Sequence, residues 1–273
     1  MPILPPSSLL EQLHRGVRFL SDGAVGTELI AKGVSINDIL SSNQNNPSLV
    51  QIVHQSYILA GSDIITANTF GLRDGGTWRE DMEAGLELAF GAAENSDRDI
   101  AIFFSVLPST VWMEGDWLRS LDTRTHWSSK SVLLLETCTG LDQTVKAVSV
   151  AKSLNPTAMA VTFHIKSSLK ALDGSSVEEI TDALTERGVD ILGANCGDQP
   201  DYFVEIAHRM RVRTQKPALF QPGAGTAGKT IKPDDFAELL TELFDKSIVN
   251  IAGGCCGVTP AHIERFHTLS REE

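Results

Sequence analysis

Cysteine is scarce in this chain, with four residues among 273. So few thiols in so long a chain do not make the dense cross-linking of a small secreted scaffold, and they point instead to reduced thiols in a reducing compartment. Basic charge is short as well: 23 Lys and Arg stand against 35 Asp and Glu, a net charge of −12, and no Lys/Arg cluster forms a stripe. That balance lacks the electrostatic footprint of a phosphate-backbone binder, so no nucleic-acid partner is expected. Long apolar runs are missing too. The N-terminal segment mixes Pro2, Pro5 and Pro6 with Glu11, His14, Arg15 and Arg18, which supplies neither a signal-peptide core nor a membrane span of about 18 apolar residues. The expectation is a soluble, cytoplasmic protein with no membrane partner. There is no linker, low-complexity tract or simple repeat, and the length of 273 residues suits one α/β barrel, so residues 1–273 are read as a single domain.

What the chain does have is a recurring order of short apolar or β-branched runs followed by longer segments of helical period, the pattern of βα units around a parallel sheet. The strand candidates are Arg18 to Asp22, Asp63 to Ala67, Ile100 to Val106, Val132 to Glu136, Ala158 to Phe163, Ile191 to Asn195, Ala218 to Gln221 and Ile248 to Ala252. Helices are expected over Pro47 to Ala60, Arg79 to Ala93, Leu141 to Leu154, Ser176 to Arg187, Tyr202 to Arg213, Pro233 to Phe244 and Pro260 to Ser270. Ser176 with Glu178 and Glu179, Pro233 with two aspartates, and Thr259-Pro260 are start signals, and Gly61 and Gly188 read as glycine C-caps. Segment 108–131, rich in Trp, Ser, Thr and Arg, has the least regular pattern and is expected to be a long loop with one short helix at the catalytic face. About eight such units read as a closed (β/α)8 TIM barrel, whose active site forms at the C-terminal ends of the strands.

That rule selects the residues at the strand ends. Cys196 closes one run, and Cys255-Cys256 follows another inside Gly253-Gly254-Cys255-Cys256-Gly257. If these ends share one edge of the sheet, three thiolates can converge on a soft metal ion such as zinc, leaving a fourth position open as in catalytic sites. The spacing is not a CxxC framework, and each thiol taken alone reads first as a small buried hydrophobe, with a strained vicinal disulfide as a further option for the doublet. Asp22, followed by Gly23 and Gly26, can accept a hydrogen bond from an ammonium group or serve as a turn residue, with the glycines letting a ligand approach the backbone. Glu136 ends an almost wholly apolar strand, so it needs a local basic partner or an aqueous pocket that receives a cation. Cys138 reads as a packed or pocket-wall thiol and His164 as a hydrogen-bonded pocket histidine, with metal ligation an option for each. Gly223-Ala224-Gly225-Thr226-Ala227-Gly228 matches a dinucleotide GxGxxG but does not open directly into a helix, and is read as a mobile loop over the pocket.

With these pieces in place the sequence resembles the homocysteine S-methyltransferase family, through Asp22-Gly23-Ala24-Val25-Gly26-Thr27, Thr66-Ala67-Asn68-Thr69-Phe70, Leu135-Glu136-Thr137, Gly193-Ala194-Asn195-Cys196 and Gly253-Gly254-Cys255-Cys256-Gly257-Val258-Thr259-Pro260. The resemblance implies a zinc-bearing (β/α)8 barrel with Cys196, Cys255 and Cys256 as ligands to one Zn2+ and with Asp22 and Glu136 near the homocysteine amino group. The implied activity is methylation of homocysteine or another small thiol. The methyl donor would be a small compound such as S-methylmethionine, AdoMet or a betaine, or a separate corrinoid protein. Members of that family commonly carry Asn-Ala-Gly after the seventh strand, where this chain has Pro222-Gly223-Ala224-Gly225; water, Cys138 or His164 are the substitutes for that Asn as a resting fourth ligand. Two rival readings are a barrel lyase with incidental thiols and a non-catalytic thiol- or corrinoid-binding subunit. A lyase of the Schiff-base type would want a strand-end lysine, and none of the strand candidates ends in one.

Overall fold

The run Val132-Leu133-Leu134-Leu135 has no polar face to turn to water, and it forms the start of a strand buried on both sides, Val132–Cys138 (β4). Its parallel neighbours are Ala101–Val106 (β3) and Met159–Phe163 (β5). The computed structural model describes residues 3–71, 77–197, 201–225, 231–245 and 249–272. Phe19–Leu20 (β1), Ile64–Thr66 (β2), Ile191–Cys196 (β6), Ala218–Pro222 (β7) and Ile251–Ala252 (β8) complete an eight-stranded parallel sheet in the order β1-β8-β7-β6-β5-β4-β3-β2. A bridge between Ser21 and Ile64 joins the two ends, with Asp63 N–H donating to the Leu20 carbonyl at 2.7 Å and Asp22 N–H to that of Ile64 at 2.9 Å. The sheet is a (β/α)8 barrel.

Period-two alternation divides each strand between two cores. Leu20, Ile65, Phe104, Leu133, Val161, Leu192 and Phe220 belong to the core shared with the surrounding helices, whereas Phe19, Ile64, Phe103, Leu134, Ala160, Ile191, Leu219 and Ile251 fill the barrel. The barrel core also takes in Leu4, Leu9 and Leu13, so the helix Pro6–His14, which the sequence pattern did not announce, buries its apolar side against the N-terminal ends of the strands. One inward step toward the C-terminal ends, every strand changes character: Phe19 is followed by Ser21, Ile64 by Thr66, Phe103 by Ser105, Leu134 by Glu136, Ala160 by Thr162, Leu219 by Gln221, and Ile191 and Ile251 by Gly193 and Gly253. An apolar floor thus carries a polar tier, and the site stands on that tier.

The seven expected helices all form, within a residue or two of their expected bounds, and Ser176 makes a capping box with Glu179. Gly61 and Gly188 adopt left-handed φ of 110° and 64°. Segment 108–131 differs: it holds an 18-residue helix, Pro108–Thr125, and a short one, Trp127–Lys130, and the long helix packs against Leu141–Ser153 as part of the outer layer. Its stripe of Val111, Leu118 and Leu121 is sparse, it is broken by non-helical φ/ψ at Glu114, and exposed Trp112 and Met113 blur the period, which is why the pattern read as irregular. Ile248, in the expected eighth strand, and the second half of the glycine-rich loop lie outside the described residues.

One buried group makes stability sensitive to acid. His54, on the helix Pro47–Leu59, is fully buried with no hydrogen-bond partner at either ring nitrogen among the described residues, and burial pulls its pKa down to about 4. The unfolded chain takes up that proton near pH ~6.5 and the folded chain only near pH 4, so this contribution is complete at neutral pH and is lost as pH falls between those values. The loss amounts to roughly 3 kcal/mol. Thermal unfolding at pH 7 and pH 5 is expected to show a smaller acid shift in His54→Leu than in wild type; equal shifts would contradict this assignment.

Candidate functional site

Three of the strand-end residues meet at one point. The Sγ atoms of Cys196, Cys255 and Cys256 all lie within 4.8 Å of one another, the only such group of metal-capable side chains among the described residues. Cys196 Sγ is 2.8 Å from Cys255 Sγ and 3.7 Å from Cys256 Sγ, and the Cys255 and Cys256 sulfurs are 3.9 Å apart. All three are free thiols, so the doublet is not a vicinal disulfide. Backbone hydrogen bonds bring them together: Cys255 N–H donates to the Pro222 carbonyl at 2.9 Å, Gly223 N–H to that of Cys196 at 3.0 Å, and Ala224 N–H to that of Cys256 at 2.9 Å. The start of the glycine-rich loop therefore serves as the splint between the end of β6 and the cysteine doublet. Cys196 itself has a left-handed φ of 61°, a conformation that costs a non-glycine residue on the order of 1–2 kcal/mol and is kept where surrounding structure enforces it.

The charge state of the cluster follows from its packing. The sulfur contacts with Cys196 and Cys255 pull the Cys256 thiol down to about 3, while the contacts with Cys196 and Cys256 and then burial push Cys255 up. Such a set can hold a cationic metal, which would displace the remaining protons.

The sulfurs line a cavity of about 200 Å³ together with Gly23 to Thr27, Thr66, Phe70, Glu136, Thr137 and Gln221. Glu136 faces this space. Its Oε2 accepts a hydrogen bond from the Ser105 hydroxyl, its Oε1 faces the Asn195 amide at 3.3 Å, and burial raises its pKa above the ordinary carboxylate value. Among the described residues no base pairs with it, and it lines the cavity, the second of the two options its sequence context posed. Asp22 is placed differently. Its side chain is fully buried and does not line the cavity, and its oxygens accept hydrogen bonds from Thr66 N–H at 2.7 Å and Thr66 Oγ1 at 3.0 Å. Burial, only partly offset by those bonds, pushes its pKa up to about 8, with Glu136 adding a repulsive contribution. Asp22 thus sits behind Thr66 and holds the wall beside Glu136. The adjacent glycine lines the cavity and also has a packing role: a Cβ at Gly23 would lie 2.5 Å from the Val258 carbonyl and 2.9 Å from Tyr57 Oη, so a larger residue would clash with the segment that follows the cysteine doublet.

Neither Cys138 nor His164 is one of the three grouped ligands, although His164 is near enough to help lower the Cys256 thiol. Cys138 is fully buried in the helix-facing core, its Sγ donates to the Leu135 carbonyl at 3.6 Å, and burial pushes its pKa up to about 12, which makes it a packed thiol. His164 Nδ1 accepts from Gly197 N–H at 3.5 Å and so supports the turn after Cys196. Three groups that sequence reasoning gave no role, Ser105, Asn195 and Gln221, belong to the polar tier. The signal was available: each is a polar residue on an otherwise apolar strand, in phase with the inward face.

The model of the family described as homocysteine S-methyltransferase matches residues 19–269. Among curated proteins, methionine synthase of Mycobacterium tuberculosis (strain ATCC 25618 / H37Rv) is 27% identical over 94% of this chain, which spans only 25% of that protein's length. The homocysteine S-methyltransferase YbgG of Bacillus subtilis (strain 168) is 25% identical, with 92% of this chain and 93% of that protein covered. The fold matches the metallated form of the homocysteine methyltransferase MmuM from Escherichia coli with a TM-score of 0.75 at 20% identity, covering 95% of this chain and 98% of that one. A family match that runs from β1 into the last helix, over the segments that carry the three cysteines and Glu136, leaves one assignment: the chain belongs to the homocysteine S-methyltransferase family.

Proposed function

We propose that this chain is a zinc-dependent S-methyltransferase whose acceptor is homocysteine or a closely related small thiol. The observation that carries the reading is the placement of three cysteine sulfurs within 4.8 Å of one another in the same cavity as the Glu136 carboxylate, which has no basic partner among the described residues. The donor set fits zinc. Zn–S bonds of ~2.3 Å in a tetrahedron put neighbouring sulfurs ~3.8 Å apart, and two of the three separations, 3.7 and 3.9 Å, meet that spacing. The third, 2.8 Å between Cys196 and Cys255, would have to lengthen for all three sulfurs to hold an ion. Three protein sulfurs leave one tetrahedral position for a substrate, as catalytic sites do.

When bound, zinc would supply the deprotonation of the incoming thiol at neutral pH and would keep its sulfur nucleophilic. The chain's own groups do the rest. Glu136 receives the substrate ammonium group, which relieves the strain of a buried carboxylate, and Thr66, held by Asp22, shapes the wall beside it. The mouth of the barrel holds the acceptor sulfur in line with the methyl carbon of the donor, so that orientation replaces a bimolecular search. A carbon–sulfur bond forms, the bond from methyl to its donor breaks with its electron pair leaving on the donor, and the thiol proton passes to solvent.

The donor is a small methylated compound such as S-methylmethionine, AdoMet or a betaine, or a separate methylated corrinoid protein. Zinc-loaded protein incubated with homocysteine and each donor in turn is expected to form methionine with at least one of them. Thiol binding without methyl transfer from any donor would favour a carrier subunit, and no thiol binding would refute the proposal. No helix among the described residues is long and apolar enough to cross a membrane.

A further inference from the structure

One side chain touches both halves of the site. Asn195, fully buried on β6 next to Cys196, places its Nδ2 2.7 Å from Thr137 Oγ1, 3.3 Å from Glu136 Oε1 and 3.8 Å from Cys255 Sγ, while its Oδ1 accepts the Thr137 N–H at 3.2 Å. The two contacts with Thr137 fix the plane of the amide, and they do so at a residue that needs holding, since Thr137 has a left-handed φ of 54°. One N–H is committed to the Thr137 hydroxyl. The other faces the carboxylate and the sulfur together. A single rigid amide therefore sets how far the oxygen of Glu136 stands from the sulfur of Cys255.

We infer that Asn195 is a positioning residue that selects the acceptor by chain length. The inference rests on the proposed function, in which Glu136 takes the ammonium group and the cysteine cluster marks where the substrate sulfur binds. A thiol held at both ends must match the spacing between them. An amino thiol with one methylene fewer reaches only one end at a time, and discrimination at a pocket by one methylene runs to roughly 10–200-fold. Without the amide, Glu136 keeps its Ser105 hydrogen bond but loses the link to Cys255, and the spacing relaxes.

The test uses zinc-loaded protein and two probes, homocysteine and cysteine, with dissociation constants measured by calorimetry and zinc content measured on the same samples. Wild type is expected to prefer homocysteine by at least about 10-fold. Asn195→Ala is expected to retain its zinc while the preference falls to within about 3-fold of unity, through weaker homocysteine binding with little change for cysteine. Thr137→Val, which removes the hydroxyl that holds Nδ2 but keeps the backbone bond to Oδ1, is expected to shift the ratio in the same direction, and it decides the matter if Asn195→Ala does not fold. An unchanged ratio in a folded, zinc-loaded variant overturns the inference, as does a wild type with no preference. Failure of the parent reading looks different, because wild type would then bind neither thiol.

Discussion

Cys255→Ala and Cys256→Ala are each expected to retain less than about a tenth of wild-type zinc after dialysis, and to lose methyl transfer by at least ~1000-fold. The size of the effect follows from the ligand count. Four-ligand zinc sites are worth roughly 10–16 kcal/mol, so one sulfur contributes about 3 kcal/mol or more, on the order of 100-fold in affinity. Activity falls further than affinity, because any ion that remains has lost part of the arrangement that orients the acceptor sulfur. Cys138→Ala is the control: its thiol lies in the helix-facing core away from the cluster, so it is expected to keep its zinc and to lose only packing energy, about 1–2 kcal/mol. Metal analysis with a methionine-formation assay reads all three variants. Full stoichiometric zinc in both cluster variants would remove the basis of the proposal.

The second large effect is at the other end of the substrate. Glu136→Gln keeps the size and hydrogen-bonding capacity of the side chain and removes its charge. Losing one partner of a buried charge pair costs about 2–5 kcal/mol, so kcat/KM for homocysteine is expected to fall roughly 30- to 5000-fold. A thiol of the same length without the amino group should be affected no more than about 3-fold, since it never used the carboxylate. Equal losses for both thiols would show that Glu136 maintains the fold of the site and does not recognise the amine. Its raised pKa adds a pH signature: a proton competes with the ammonium group, so homocysteine binding should weaken on acidification earlier than an ordinary carboxylate would allow.

Much of this arrangement was legible in the chain. The strands were readable because a parallel barrel buries both faces, so its strands stand out as apolar runs, and their ends because the inward positions change from Phe, Ile or Leu to Ser, Thr, Glu or Gln at one level. The convergence of Cys196 with the doublet was readable only through the barrel rule, since 59 and 60 residues separate them and no local pattern encodes the approach. Other features lay beyond one-dimensional reasoning. Asp22 and Glu136 look alike as strand-end carboxylates, but Asp22 points its oxygens at the backbone and hydroxyl of Thr66 while Glu136 points into the cavity. The role of Gly23 depends on Tyr57 and Val258, which come from distant parts of the chain. Asn195 sat inside a recognised motif, but its value lies in contacts across β4 and the β8 loop, which no spacing in the sequence predicts.

The central claim is that the substrate sulfur joins three cysteine sulfurs at one ion, and zinc-edge X-ray absorption counts those sulfurs directly. Zinc-loaded protein is expected to show three sulfur neighbours at ~2.3 Å and one lighter atom, changing to four sulfurs when homocysteine is added. Fewer than three sulfurs at rest, or a count that does not rise with homocysteine, would contradict the account.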